Sequence, residues 1–410
     1  MSAGIKRPRI YYGYTVVFAC FVIMAMTFGL HYSFGIFFKP LLKEFGWSRA
    51  ATSAAYSATT LISGFMGIMA GRLSDFFGPK IVGVLTGVFL GAGFLLLSQT
   101  RNLWHLYLFY GVVMAAGVGG CWPGLMPAVA KWFTARRGLM TGIVASGIGF
   151  GTIVIPPLAE RLISIYDWRT AYIVIGVITL VTVIGIAQFL KAEPPGRIEK
   201  KHPEKGAKGE EADPGPDGLE FRTAIRNGQF WLLGFTYFCY GYTLHTIMVH
   251  IAPYVQDLGL SSAEAARIYT LIGATSILSR IITGGASDRF GIKPSLLTGL
   301  LFMIISMVWI QFAGSRWMFY LFGMLFGIAY GGVMSMQAVA TAKLFGLQSL
   351  GVILGTITFM YTLGGSISPV LSGYIFDLAG NYKAAFFAAS LIACLSFLLA
   401  LLLKLGGRRI

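Results

Sequence analysis

Apolar runs of about 20 residues recur along the whole chain, separated by short polar segments. A helix needs about 20 apolar residues to cross the roughly 30 Å hydrocarbon core of a bilayer. Backbone groups cannot stay unpaired in lipid, so these runs are expected to be helical. The pattern predicts twelve spans, at about Tyr11–Phe38, Arg49–Ser74, Ile81–Ser98, Trp104–Phe133, Gly138–Ser164, Thr170–Leu190, Phe230–Tyr254, Ala263–Ala286, Pro294–Phe312, Trp317–Leu344, Gly351–Phe376 and Ala384–Leu403.

The apolar pattern breaks between the sixth and seventh predicted spans. Residues Lys191–Arg226 contain no apolar run, and their eight basic and eight acidic residues cancel in charge. Such a composition is typical of a flexible, solvated linker. It divides the chain into an N-terminal bundle of six helices (residues 1–190), a cytoplasmic linker (191–226) and a C-terminal bundle of six helices (227–410).

Short motifs recur in the two halves at a nearly constant spacing. GRLSDFFGPK (Gly71–Lys80) matches GGASDRFGIK (Gly284–Lys293), and EFGWS (Glu44–Ser48) matches DLGLS (Asp257–Ser261), both 213 residues further on. Parallel repeats of six helices are typical of transporters that bind their substrate near the midplane, between the halves. We therefore predict an all-α polytopic membrane protein of two pseudo-symmetric six-helix bundles.

Composition and charge agree with a membrane protein. The chain is 56% hydrophobic and 12% charged, whereas soluble domains average roughly 25% charged residues. The net charge of +16 does not indicate nucleic-acid binding, because the basic residues are spread over short loops. Of the 32 Lys and Arg residues, 22 lie at the termini or in the loops after even-numbered spans, and nine lie in the other loops. The positive-inside rule then predicts a multi-pass protein of the cell (inner) membrane with both termini cytoplasmic.

One cation, Arg280, lies deep inside a predicted span, near the middle of the bilayer. Arg280 belongs to LIGATSILSRIITGGASDRF (Leu271–Phe290) and precedes Asp288 by eight residues, about 12 Å of helix. A charge at bilayer depth costs about 2.5–3.5 kcal/mol on insertion scales, so it needs a partner or an aqueous cavity. A guanidinium can hold a carboxylate by two parallel hydrogen bonds. We predict an anion site at Arg280; the alternative is a structural arginine that bonds carbonyls or reaches the membrane surface.

The two G-x-x-x-D-x-x-G-x-K loops resemble the signature loops of the major facilitator superfamily, and the resemblance covers the whole chain. It implies that these loops lock the cytoplasmic ends of the halves together in the outward-open state. A carboxylate beside a helix N-terminus and a neighbouring arginine would favour such a lock. The implied gating residues are Gly71, Asp75, Gly78, Lys80, Asp288 and Arg289.

A finer resemblance is to the monocarboxylate transporter family and its oxalate–formate exchanger relatives. It is carried by GYTVVFACF at the start of the first span and by KWFTARRGLMTGIVASGIGFG (Lys131–Gly151). It implies that Arg280 anchors the substrate carboxylate. Animal carriers have an Asp one turn before this Arg and a Lys in the first helix, where this chain has Ser276 and Tyr32. Oxalate exchangers have a second cation in the eleventh span, and the eleventh span of this chain (Gly351–Phe376) has none, so a monocarboxylate such as L-lactate or pyruvate is favoured.

Further site residues are predicted from their chemistry. Coupling an anion to H⁺ makes transport electroneutral, and histidine titrates near pH 6.5. The candidate proton carriers are His250, Asp257 and His31. A phenol can bond a carboxylate or hydroxyl while its ring packs. The candidate substrate-binding residues besides Arg280 are Tyr330, Tyr240, Tyr32, Tyr361 and His250, although packing in the core is an alternative for each.

The leading hypothesis is a proton–monocarboxylate symporter that works by alternating access. We expect it to act as a monomer in membrane lipid, without cofactor, metal or nucleic acid. The alternatives are an exchanger for oxalate-like or other organic acids and a transport-inactive membrane sensor. The sequence has no GxxxxGK[ST], which leaves ATP-driven transport without support. It has neither HExxH nor GxSxG, so we expect no enzyme, and no charged rings typical of a channel.

Overall fold

The computed structural model describes residues 11–133, 137–192, 219–346 and 348–405. Within the helices of these ranges, the side chains of Ala130, Arg137, Gly138 and Asp288 fall outside the description. The described chain consists of helices joined by short connections. The helices are α1 Gly13–Tyr32, α2 Phe34–Phe45, α3 Arg49–Phe77, α4 Pro79–Leu97, α5 Leu103–Leu106, a π-helical segment Tyr107–Met114, α6 Ala115–Trp132, α7 Arg137–Ile165, α8 Trp168–Ala187, α9 Phe221–Arg226, α10 Gly228–Asp257, α11 Ser262–Phe290, α12 Ile292–Phe312, α13 Arg316–Phe345, α14 Leu350–Ala379 and α15 Lys383–Leu401.

The described helices make twelve long rods, because α1 continues into α2, and α5, the π-helical segment and α6 form one rod. Ten of the rods are long and apolar enough to cross a membrane. The other two, α3 and α10, are equally long but less apolar. In α10 every residue from Cys239 to Val255 is buried in protein, so this helix has little need of a lipid-facing apolar surface. The twelve-helix fold is thus the one predicted from the apolar pattern.

Equivalent positions of the two halves adopt the same local backbone. Gly46 and Gly259 end their helical segments with φ of +65° and +86°. Gly78 and Gly291, which follow α3 and α11, have φ of +81° and +96°. Residues with a side chain rarely adopt such angles. In each half, the serine two residues after the first glycine caps the next long helix through its hydroxyl. The sequence repeat is therefore also a repeat of structure.

Two details differ from the predicted segments. The first rod extends to Phe45 rather than Phe38, because helix α2 accommodates Pro40 and ends only at the left-handed Gly46. Helix α9 lies within the segment predicted as linker. Its approach is fixed by the backbone N–H of Leu219, which donates to the Phe345 carbonyl over 2.8 Å. Residues 193–218 of the predicted linker lie outside the described ranges.

Helices α7 and α11 pack across the interface between the halves, and their separation changes along their length. We call the face that carries the start of α1 and the end of α15 the terminal face, and the other the opposite face. Midway along the pair, a Cβ on Gly149 would lie 2.8 Å from the Gly273 carbonyl oxygen. Nearer the terminal face, a Cβ on Gly142, Gly284 or Gly285 would meet no atom of the described residues within 4 Å.

Helices α3 and α14 form the second cross-half pair and diverge in the same direction. Near the opposite face, a Cβ on Gly373 would lie 2.8 Å from the backbone of α3. The rings of Phe65 and Phe359 still meet further along, 5.5 Å apart. Beyond them, a Cβ on Gly351 or Gly355 would have no neighbour within 4 Å in the part of the chain that the structure describes. The halves are therefore joined at the centre and the opposite face, and they separate toward the terminal face.

Candidate anion site between the halves

Close packing of α11 on α13 brings Arg280 to Tyr330. A Cβ on Gly331 would overlap the Ser276 carbonyl, and one on Gly327 would overlap the Thr275 hydroxyl. These glycines allow the two helix backbones to approach. The guanidinium carbon of Arg280 consequently lies 5.1 Å from the centre of the Tyr330 ring, within the range of a cation–π contact.

The guanidinium of Arg280 has unused hydrogen-bond donors. Its Nε and Nη2 are buried, and neither has a hydrogen-bond partner in the described part of the chain. These two nitrogens form one edge of the planar guanidinium, the edge that matches the two oxygens of a carboxylate. Leaving buried charged donors unbonded is unfavourable, so this arrangement is suited to an anion.

Four predicted tyrosines gather beside Arg280. The hydroxyls of Tyr32 and Tyr330 lie 3.2 Å apart and join α1 of one half to α13 of the other. Tyr240 donates its hydroxyl hydrogen to the Tyr330 carbonyl over 3.0 Å. The rings of Tyr240 and Tyr361 stack with their centres 5.9 Å apart. The structure thus assembles Arg280, Tyr330, Tyr32, Tyr240 and Tyr361 into one group from α1, α10, α11, α13 and α14.

A second cross-half connection lies next to these tyrosines. The Nδ1 of His245 is 2.9 Å from the Tyr56 hydroxyl, and its Nε2 is 3.1 Å from the Tyr361 hydroxyl. The ring of His31 stacks on Tyr56 at 4.3 Å, and its Nδ1 is buried without a hydrogen-bond partner among the described residues. Tyr56 was not among the residues predicted from the sequence. The single tyrosine in the polar run ATSAAYSATT was the available signal.

His250 lies apart from the tyrosine group. It follows Tyr240 by ten residues on α10, about 15 Å at 1.5 Å per residue. Its Nε2 donates to the Pro369 carbonyl over 2.9 Å, because a carbonyl can only accept. Its Nδ1 then accepts from the Tyr382 hydroxyl at 3.0 Å. Burial raises the pKa of Tyr382, which keeps the hydrogen of this phenol available for His250.

Asp257 joins the two halves at the opposite face. Its carboxylate pairs with Lys39 at 2.7 Å and with Arg49 at 2.8 Å. Arg49 also donates to the Tyr382 hydroxyl over 2.7 Å. The Asp377 carboxylate accepts two backbone N–H groups at the start of α3, at 3.0 and 2.9 Å. We call Lys39, Arg49, Asp257, Asp377 and Tyr382 the opposite-face cluster. It holds the two halves together at this face.

A cavity of about 590 Å³ lies at the opposite face. It is lined by Lys39, Lys43, Glu44 and Glu160, among others. Glu160 accepts a hydrogen bond from the Ser262 hydroxyl at 2.7 Å, which joins α7 to α11. Neither Arg280 nor any of the four tyrosines lines the cavity, so it is not part of the anion site.

The predicted gating residues lie near the terminal face. Asp75, Lys80 and Arg289 are exposed. The nearest atom to a Cβ on Gly71 would belong to Pro123 of the same half, at 3.8 Å. Gly78 ends α3, and the side chain of Asp288 lies outside the description. The gating role of these residues stays a prediction.

Two six-helix bundles with a polar site between them, closed toward one face, define a multi-pass membrane transporter. The chain belongs to the Major Facilitator Superfamily, whose family profile matches residues 17–285 and 233–409. This confirms the superfamily resemblance seen in the loop motifs.

The chain is similar to monocarboxylate transporters over nearly its whole length. It is 26% identical to Monocarboxylate transporter 12 of Rattus norvegicus, over 97% of this chain and 86% of the relative. It is also 26% identical to Monocarboxylate transporter 4 of Gallus gallus, over 99% and 85%. Among solved structures, a bacterial homolog of the human lysosomal transporter Spinster, in an inward-facing and unoccupied conformation, matches with a TM-score of 0.75 and 16% identity. That match covers 97% of this chain and 98% of the other, and it shows a shared fold.

Proposed function

We propose that the protein is a proton-coupled symporter of a small monocarboxylate, of the L-lactate or pyruvate class. It works by alternating access as a monomer, in the cell membrane, with the terminal face toward the cytoplasm. The observation that carries the proposal is the unbonded Nε–Nη2 edge of Arg280, buried between the halves beside Tyr330.

A single carboxylate fits this site better than two. The Nε and Nη2 of Arg280 can take both oxygens of one carboxylate, with the phenols of Tyr330 and Tyr361 as donors to a neighbouring hydroxyl or keto oxygen. Helix α14, which supplies Tyr361, contains no Lys or Arg that could hold a second carboxylate. The names of the similar carriers from rat and chicken support the same substrate class.

Coupling to a proton would remove the electrical cost of moving the anion. One elementary charge costs about 2.3 kcal/mol per 100 mV of membrane potential, whereas an anion that travels with H⁺ moves without net charge. His31, His250 and Asp257 stay predictions as proton carriers. His250 and Asp257 contact or belong to the opposite-face cluster, so protonation there would act on the closed face.

Alternating access requires that one face open while the other closes. The gap between Gly142 and the Gly284–Gly285 pair would be the open path to the terminal face. The opposite-face cluster would be the closed gate. In the reverse state, the loops around Asp75 and Asp288 would come together and hold the terminal face shut.

Uptake into proteoliposomes tests the proposal. We expect labelled L-lactate to accumulate above its equilibrium level when the outside is made acidic, because the proton gradient drives the anion inward. A protonophore should abolish this accumulation. Uptake that survives collapse of the gradient but needs an anion inside the vesicles would instead indicate an exchanger. A purified protein that moves neither lactate, pyruvate nor oxalate would be the transport-inactive sensor.

A further inference from the structure

We propose that His245 is the residue that carries the coupled proton. The inference rests on the proposed symport and assigns its least defined step. His245 occupies the position in α10 that Tyr32 occupies in α1, 213 residues earlier. Each half thus sends one ring from its first long helix across the interface. Tyr32 meets Tyr330, and His245 meets Tyr56.

The His245 ring is held between two phenols of different halves. Tyr56 comes from α3 and Tyr361 from α14, and both ring nitrogens are within hydrogen-bond distance of a hydroxyl. Gly365 makes room for the ring, since a Cβ at that position would overlap its Cδ2 atom and lie 2.8 Å from Nε2. The ring therefore has a defined position at the seam that must break when the halves move.

Few other ionisable groups face this ring. They are Tyr56 from α3, Tyr361 from α14 and His31 from α1, whose ring centre lies 6.2 Å away. Tyr330 from α13 and Arg280 from α11 follow beyond Tyr361. The carboxylates whose side chains the structure describes lie in loops or within about two turns of a helix end, and they are Glu44, Asp75, Glu160, Asp167, Glu220, Asp257, Glu264 and Asp377.

His245 is also better connected to the anion site than His31. Tyr361 joins His245 directly, and its ring stacks on Tyr240 beside Tyr330. His31 makes ring contacts with Tyr32 and Tyr56, at 5.5 and 4.3 Å, but its Nδ1 has no hydrogen-bond partner among the described residues. A proton on His245 can therefore act on the substrate through a single phenol.

Protonation of His245 changes what the phenols can do. In the neutral ring, one nitrogen accepts a hydrogen bond, so one of the two phenols must donate to it. When a proton from water binds that nitrogen, a new N–H bond forms and both nitrogens donate. Both phenols then accept from the ring, and the hydrogen of Tyr361 is free for another acceptor. The substrate carboxylate is such an acceptor.

The charges balance over one transport step. The empty site contains the positive Arg280. The loaded site contains Arg280, a protonated His245 and one anion, so its net charge is the same. The N–H bond breaks again when the anion leaves on the other side, and the proton returns to water there. Anion and proton thus favour each other's binding, as linkage requires.

The test is the pH dependence of L-lactate binding to the purified protein, measured by calorimetry in two buffers of different ionisation enthalpy. For the wild type we expect uptake of about one proton per lactate bound. At pH values above the pKa of His245 in the empty protein, the Kd for lactate should rise about tenfold per pH unit. For His245→Gln we expect no proton uptake and a Kd independent of pH. His105→Gln, the same change outside the site, should retain the wild-type behaviour.

Tyr361→Phe provides a second variant if the first does not fold, because it retains the ring of Tyr361 and removes only the connecting hydroxyl. We expect the rise of the lactate Kd per pH unit to be at least fivefold smaller in this variant than in the wild type. The assignment is overturned if His245→Gln still takes up a proton, or if His31→Gln or His250→Gln abolishes the uptake while His245→Gln does not. A wild type that accumulates lactate without any dependence on a proton gradient would overturn the symport itself.

Discussion

Replacing Arg280 by Gln is expected to reduce lactate uptake at low substrate concentration at least about thirtyfold. The Gln amide can form one hydrogen bond to a carboxylate but has neither the charge nor the paired donors of the Nε–Nη2 edge. Removing one partner of a buried, hydrogen-bonded charge pair costs about 2–5 kcal/mol, and each 1.4 kcal/mol is a factor of ten. Initial rates of labelled L-lactate uptake into proteoliposomes measure the effect.

Two further variants separate charge from geometry. Arg280→Lys retains the positive charge without the planar fork, and we expect an intermediate loss of about tenfold. Arg267 lies on the same helix but is exposed, so Arg267→Gln should change uptake less than twofold. Wild-type uptake by Arg280→Gln would show that the carboxylate is bound elsewhere.

Replacing Asp257 by Ala is expected to open the opposite face. The change leaves Lys39 and Arg49 close together without the carboxylate that pairs with both. Asp257 is 26% exposed, so the loss should lie between the roughly 0.5 kcal/mol of a surface pair and the 3–5 kcal/mol of a buried one. If the state closed at the opposite face is destabilised by about 1.4 kcal/mol, the population open to this face rises about tenfold.

The reporter for this opening is a cysteine in place of Ser53, which is fully buried and lies one turn beyond Arg49 on α3. We expect a membrane-impermeant thiol reagent, added at the opposite face, to react about tenfold faster with it when Asp257 is Ala. Glu44→Gln is the matched control, because it breaks the 2.6 Å pair with Arg169 inside one half. Equal acceleration by both changes would contradict a specific role for the opposite-face cluster.

The fold could be predicted from the sequence because a helix that crosses a bilayer must be long, apolar and fully hydrogen-bonded along its backbone. Twelve apolar runs and a repeat at a constant spacing define twelve helices and two equivalent halves. The repeat even extends to backbone angles at Gly46 and Gly259. The exact helix ends and the π-helical segment Tyr107–Met114 depend on packing between distant helices, which a local pattern does not contain.

The central part of the site could also be predicted, since a charge inside a span is conspicuous. Arg280 and four of its tyrosine neighbours were found in this way. The pairing of Tyr56 with His245 could not, because it joins residues 189 positions apart and a buried tyrosine looks like any other core residue. Asp257 was considered as a proton carrier because of its place near the outer end of α10, whereas its contacts with Lys39 and Arg49 depend on how the halves meet.

The most direct test of the central claim compares L-lactate with its neutral amide, lactamide, as ligands of the purified wild type and of Arg280→Gln. Calorimetry gives the affinity of each pair. If Arg280 binds the substrate carboxylate, lactate will bind the wild type at least about thirtyfold more tightly than it binds the variant, and lactamide will bind both equally weakly. Equal binding of lactate to the two proteins, or of lactate and lactamide to the wild type, would contradict the claim.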